Sequence, residues 1–199
     1  MVNKLLINND FTEYKKVFLE ENSKLNLISK NDEKFLFEKH IYDSLSIKLT
    51  NLLQDGQTLL DIGCGGGFPC VPIAIEYPGI NVVGLDSIRK KINAINNIKT
   101  ALGLNNLSTI CDRAENLKGD KFDIITSRAV ANLSQISEYA LPLLKNDGYF
   151  VAYKSKKTDV EIDDAKSVLE KYKARVVDII DYTLPLDELY ERKLIVIGY

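Results

Sequence analysis

Tryptophan is absent from this 199-residue chain, and histidine and methionine occur once each. With His40 as the single imidazole, a multi-histidine metal centre or a Ser-His-Asp triad has little to work with, and no bound metal is expected. The three cysteines, Cys64, Cys70 and Cys111, are an odd number at no zinc-finger spacing. They are expected to be reduced thiols. No apolar run approaches the roughly 18 residues of a membrane span. The opening MVNKLLINND has too short an apolar stretch for a secretory signal, so a cytoplasmic protein is expected. Strong charge of either sign is also missing: 26 Lys and Arg against 28 Asp and Glu give a net charge of -2. A free nucleic-acid-binding module is usually basic, so any such contact has to come from local patches. Without tryptophan, a base-stacking platform has to be Tyr, Phe or Arg.

What remains is an ordinary globular composition, 45% hydrophobic and 27% charged. Residues 1–55 read as helical: Phe11, Tyr14 and Phe18 recur at helical spacing, as do Ile41, Leu45, Leu49 and Leu52, with a loop over Lys24–Asp32. From there on short β-like runs alternate with helical stretches. The predicted strands are Thr58–Ile62, Asn81–Leu85, Leu107–Cys111, Phe122–Thr126, Tyr149–Tyr153, Arg175–Ile180 and Leu194–Ile197. Predicted helices fall at 70–77, 88–102, 132–144 and 159–172, with a loop at 112–121. This rhythm predicts an α/β fold with a mostly parallel, doubly wound sheet. Only Asp181–Lys193 separates the last two strands, which predicts a hairpin finish with one antiparallel strand. Residues 1–55 are expected to form a helical cap on a domain of residues 56–199, the two making one structural unit.

The most informative stretch is Leu59-Leu60-Asp61-Ile62-Gly63-Cys64-Gly65-Gly66-Gly67-Phe68-Pro69. A strand runs into a glycine loop and then into a helix starting near Pro69, the arrangement in which nucleotides bind at the carboxyl edge of a sheet. The dinucleotide fingerprint G-x-G-x-x-G fails, because the third glycine from Gly63 falls on Phe68. The spacing present, D-x-G-x-G-x-G from Asp61 to Gly67, resembles the S-adenosylmethionine loop of Rossmann-like class I methyltransferases. The second strand ends on Asp86, where a carboxylate can accept both ribose hydroxyls of an adenosine. A bare tight turn, with Asp86 only capping the helix at Ser87, is the simpler alternative.

Several further segments appear in order: Lys24-Leu25-Asn26-Leu27-Ile28, Lys39-His40-Ile41-Tyr42-Asp43-Ser44, the loop into Phe68-Pro69, Leu85-Asp86-Ser87, Arg113-Ala114-Glu115, Ser127-Arg128-Ala129 and Ala152-Tyr153-Lys154. Together they resemble the ribosomal RNA small-subunit methyltransferase G family, over about residues 11–198. The resemblance implies a class I methyltransferase fold, a seven-stranded sheet with an N-terminal helical extension. It also implies methylation of guanine N7 in 16S ribosomal RNA with S-adenosylmethionine as methyl donor. Carried over by motif, the cofactor contacts fall on Gly63, Phe68, Asp86, Ser87, Ile88, Ala114, Glu115 and Arg128, beside Asp61 and Gly65 of the loop. Cys70 stands where the family loop usually has glycine, and Gly66 where alanine or proline is common. The sequence carries no basic C-terminal extension, so RNA affinity is expected from elsewhere.

N7 of guanine carries a lone pair and no proton, so its methylation needs no general base, which agrees with one histidine and no triad. Cytosine C5 chemistry needs a cysteine after the fourth strand. Exocyclic amino chemistry typically uses N/D-P-P-Y/F there; this chain has Thr126-Ser127-Arg128-Ala129. N7 lies in the deep groove of A-form RNA, so the target is expected to be unpaired or flipped out, stacked on Phe68 or Tyr153. Candidate catalytic residues are Arg128, Lys154 and His40. Arg128 is placed to bind the cofactor carboxylate or guanine O6, or else to be an ordinary salt-bridged arginine. His40, Asp43 and Ser44 share a helix face. They border either the cofactor or the target, or simply tie that helix to the domain. Cys70 is expected to be a packed residue rather than a nucleophile. Arg89, Lys90 and Lys91, with Lys154, Lys156 and Lys157, are candidate phosphate contacts or solvated faces. The expected partner is 16S rRNA or a small ribosomal subunit particle, and the protein is expected to be monomeric.

Overall fold

In the computed structural model, residues 5–119, 121–155 and 158–199 are described; Lys156 and Lys157 of the proposed lysine cluster lie outside them. Seven strands among these residues form one sheet in the order β3-β2-β1-β4-β5-β7-β6. The strands are β1 (Thr58–Ile62), β2 (Asn81–Leu85), β3 (Leu107–Ile110), β4 (Phe122–Arg128), β5 (Leu144–Ser155), β6 (Arg175–Thr183) and β7 (Glu191–Gly198). β1 to β5 pair in parallel, and β7 runs antiparallel to both β5 and β6. The predicted mostly parallel sheet with a hairpin finish is the one observed. The strand order reverses at β1 and β4, the crevice where open α/β sheets bind ligands.

The helices are α1 (Thr12–Leu25), α2 (Lys30–Glu33), α3 (Asp43–Leu45), α4 (Cys70–Glu76), α5 (Arg89–Leu102), α6 (Leu133–Ala140) and α7 (Asp159–Lys171). Local chemistry sets several of their ends. Ser29 accepts from the Asp32 amide at the start of α2, and Asn132 from the Gln135 amide at the start of α6. α5 closes on Gly103 in the left-handed region. Pro69 sits just before α4, which begins at Cys70. Two departures from the sequence reading are local. The predicted loop over 24–32 opens on the end of α1 and runs into the short α2, and the loop at 112–121 contains a 3-10 turn at Ala114–Asn116.

The sheet buries both faces, so the middle of β4 and of β5 read as short continuous apolar runs, and β1 is buried throughout with Asp61 as its one carboxylate. One core cluster joins Leu59, Val82, Ile124, Val151 and Leu194 to Phe11, Tyr14, Phe18, Leu36, Ile41 and Leu45. The segments before β1 therefore share the main core rather than resting on it. Glu76 of α4 reinforces the join: it accepts the amides of Asn8 and Asn9 and pairs with Lys48. The opposite face packs Leu60, Ile62, Ile125, Phe150 and Ile195 against α6 and α7.

Candidate active site

A cavity of about 750 Å³ opens at the carboxyl ends of β1, β2 and β4, within the range of small-molecule sites. Gly63, Gly65, Phe68, Asp86, Ser87, Ile88, Ala114, Glu115, Arg128 and His40 all line it. The motif residues, scattered along the sequence, are thus brought to one place. Gly63 turns at φ +72°, where a Cβ would run into Val130, so only glycine lets the 129–131 loop close over this turn. Asp86 is buried; it accepts the Gly65 amide through Oδ2 and the Ile88 amide through Oδ1, each at 2.9 Å. A carboxylate has about four lone-pair positions. Two are spent holding the loop and the start of α5, leaving acceptors for a vicinal diol. Gly65 meets only the Gly63 carbonyl, at 3.8 Å, if a Cβ is added, so the loop is open to the cavity at this residue. These features fit an adenosine cofactor such as S-adenosylmethionine.

Two predicted site residues stand behind the cavity wall. Asp61 is fully buried, accepting from Thr126 Oγ1 at 3.0 Å and from the Cys70 amide at 3.2 Å. Burial pushes its carboxyl from 3.8 up to about 7, against those hydrogen bonds and the Arg128 charge. Lys154 Nζ donates to the Ala131 carbonyl at 2.8 Å and to Glu161 Oε2 at 2.6 Å. It therefore fastens the 129–131 loop. Tyr153, considered as a stacking surface, is 2% exposed and donates to the Ser44 carbonyl at 2.7 Å, so it presents no free face. Cys70 is buried and its thiol is pushed well up by desolvation, the reverse of an activated nucleophile. Of the basic run opening α5, Lys91 lines the cavity while Arg89 and Lys90 are exposed outside it.

The polar cluster of the cap centres on Asp43. The backbone from Leu36 to Tyr42 is a π-helical turn before α3, which departs from regular α spacing. Asp43 accepts from Arg128 Nη1 at 2.9 Å, from Arg192 Nε at 3.1 Å and Nη2 at 3.2 Å, and from Tyr182 Oη at 2.6 Å. Arg128 also reaches the Lys39 carbonyl and, through Nη2, His40 Nδ1 at 3.1 Å. Because a guanidinium only donates, Nδ1 is the acceptor and the imidazole proton sits on Nε2. Burial, and then the Arg128 charge, lower His40 from 6.5 to about 4, so the ring is neutral at physiological pH. Ser44 turns away and donates to the His40 carbonyl. The cluster thus ties the segment before β1 to β4 and the β6–β7 hairpin, and His40, Asp43, Arg128 and Arg192 of it line the cavity.

Arg192, Tyr182, Leu184 and Tyr190 of the β6–β7 hairpin were not singled out in the sequence. Arg192 lies in the charged run Glu191-Arg192-Lys193 that opens β7, with no motif around it, and its link to Asp43 spans 149 positions.

Known proteins match this geometry. The family model for rRNA small subunit methyltransferase G matches residues 7–189. The "Ribosomal RNA small subunit methyltransferase G" of Staphylococcus saprophyticus is 40% identical over 191 residues, 94% of this chain and 80% of that one. The Lactobacillus helveticus protein of the same name is 38% identical over 182 residues, 88% of this chain and 76% of the relative. Among solved structures, a SAM-dependent methyltransferase from Aquifex aeolicus superposes with a TM-score of 0.66 at 18% identity, covering 89% of this chain and 98% of its own. TYW2 from M. jannaschii, solved with AdoMet, gives 0.60 at 14% identity over 76% and 72% of the two chains. With the adenosine cradle, the Arg128 cluster and the family match in register along nearly its whole length, the chain belongs to the rRNA small subunit methyltransferase G family.

Proposed function

We propose that this protein transfers a methyl group from S-adenosylmethionine to N7 of a guanine in 16S ribosomal RNA. The observation that carries the reading is the family match over residues 7–189, on a chain whose cavity keeps the acid of the adenosine cradle. When bound, the cofactor supplies an electrophilic methyl on a sulfonium. Asp86 would hold its ribose hydroxyls, with Ser87, Ile88, Ala114 and Glu115 around the nucleoside and Gly63 and Gly65 beneath the amino-acid part. Arg128 and His40 line the same cavity beside Phe68, where Arg128 would meet the cofactor carboxylate or guanine O6. The chain supplies no base because N7 has no proton to lose. Its work is orientation, worth roughly 7–11 kcal/mol in well-aligned reactions. The target is 16S rRNA within a small ribosomal particle, approached by a cytoplasmic monomer. The net charge of -2 favours a shaped particle over naked RNA fragments.

The test is transfer of labelled methyl from S-adenosylmethionine to small ribosomal subunits from cells lacking the enzyme. Label is expected in 16S rRNA, as 7-methylguanosine at a single position. Label on another base, or none, would overturn the reading. In parallel, Asp86→Ala should weaken calorimetric cofactor binding at least about tenfold, since bonds to a charged acceptor are worth roughly 1.5–3 kcal/mol.

A further inference from the structure

We propose that Tyr190 is the platform on which the target guanine stacks, an assignment that rests on the rRNA methylation reading. Three aromatic residues line the cavity: Phe68, Tyr139 and Tyr190. The Phe68 ring is already enclosed, with ring centroids of His40 at 4.9 Å and Phe18 at 5.0 Å, and the Arg128 guanidinium at 5.1 Å. It is 4% exposed. Tyr139 packs on the α6 side of the core, and its hydroxyl is held by Gln135. Tyr190 is 46% exposed and its side chain makes no hydrogen bond or ring contact among the described residues. A large aromatic face left bare at the mouth of a cavity is where an unpaired base gains most, because every base has a π face and stacking tolerates any sequence.

The ring is bare but its backbone is fixed. The Tyr190 carbonyl accepts the amide of buried Leu184 at 3.0 Å, and Arg192, two residues on, is locked to Asp43. Immobilising the nucleotide against Tyr190 therefore requires no reordering of the hairpin. Val130, 45% exposed and packed over Gly63, lines the same cavity as Tyr190. The Tyr190 side chain carries no charge, and the hairpin around it holds acids (Asp187, Glu188, Glu191) as well as bases (Arg192, Lys193). Tyr190 therefore contributes stacking and not backbone attraction, and its contribution is insensitive to salt.

The absence of tryptophan elsewhere makes the test direct. Tyr190→Trp introduces the sole indole of the chain. Its fluorescence should be quenched when 7-methylguanosine monophosphate is added to protein saturated with S-adenosylhomocysteine. Tyr190→Phe should keep kcat/KM for small subunits. Tyr190→Ala should lower it roughly 5- to 150-fold, by the same factor at about 50 and 200 mM salt, with cofactor affinity unchanged. Wild-type turnover in Tyr190→Ala, equal losses in Tyr190→Ala and Tyr190→Phe, or an indole blind to the nucleotide would each overturn the assignment. If wild-type protein labels no rRNA, the functional reading falls, and the quenching measurement still decides the role of Tyr190.

Discussion

Asp61 offers the sharpest physical test, because its charge is enclosed and its effect has a defined sign. It is fully buried and held by two neutral donors, the Thr126 hydroxyl and the Cys70 amide. Desolvation outweighs those bonds and lifts the carboxyl from 3.8 to about 7. Between pH 4 and 7 the folded protein keeps a proton that the unfolded chain has released. Stability therefore falls as pH rises through that window and levels off above it. From pH 5 to 7 the loss is about 2 kcal/mol, since the slope of about 1.36 kcal/mol per pH unit halves as the acid reaches its midpoint near 7. Asp61→Asn mimics the protonated acid: its amide oxygen can accept from Cys70 and its NH₂ can donate to Thr126. Urea denaturation of both proteins at pH 5 and pH 8 isolates the effect, because other titrating groups cancel in the difference. The variant should gain on the wild type by roughly 3 kcal/mol between the two pH values. A difference that stays constant from pH 5 to pH 8 would refute the argument.

Removing the Asp43 charge should be worse than removing a surface pair. Asp43→Asn leaves the guanidinium groups of Arg128 and Arg192 without their shared anion, a loss of about 3–5 kcal/mol for a buried pair. For a chain of this size calorimetry should show a fall in Tm of roughly 6–20 °C; a drop under about 2 °C would mean the carboxylate is not the hub. His40, lowered to about 4 by burial, should remain neutral at and above pH 5.5. Its stability contribution should fade only as pH drops from 6.5 toward 4. As the single histidine it gives one imidazole signal by NMR, and a midpoint above pH 6 would contradict the placement. Cys64 and Cys70 are buried with thiols pushed up by their surroundings, while Cys111 is half-buried. An aromatic disulfide reagent should therefore titrate one thiol quickly in the native protein and three after denaturation.

The sheet was legible because its strands are short, apolar and punctuated by glycine, and because β–α alternation allows few topologies. Strand ends were not. β4 reaches Arg128 and β5 begins at Leu144, since pairing continues past the apolar stretch that marks a strand in sequence. The cofactor half of the site was legible because one loop and one strand end make it, so Gly63, Gly65 and Asp86 carry their own spacing. The other half is assembled from three distant segments around Asp43, and no local pattern records that Arg192 and Tyr182 meet an acid on the cap. The regular helix assumed for His40, Asp43 and Ser44 also failed to foresee the π-helical turn. That turn lets His40 and Asp43 share Arg128 while Ser44 faces the backbone.

Which residues touch the reactants and which hold those that do is the distinction the sequence blurred most. Lys154 and Asp61 sit in the motifs yet stand one layer back. Lys154 fixes the carbonyl of Ala131, and Asp61 braces the start of α4 from beneath the glycine loop. For a reaction that abstracts a proton, such residues would be secondary to the base. Methylation at N7 has no base, and its rate depends on how well two reactants are aligned. The 129–131 loop has Ala129 at φ +57°, packs Val130 over Gly63 and lines the cavity, so its placement would shape the approach of a base to a bound methyl donor. Loss of the Lys154 ammonium would also leave Glu161, which accepts the Leu133 amide beside it, without its cation. The loop and the start of α6 would loosen together. We therefore propose Lys154 as a positioning residue, and its removal should lower turnover while leaving the Asp86 cradle, and with it calorimetric cofactor affinity, intact.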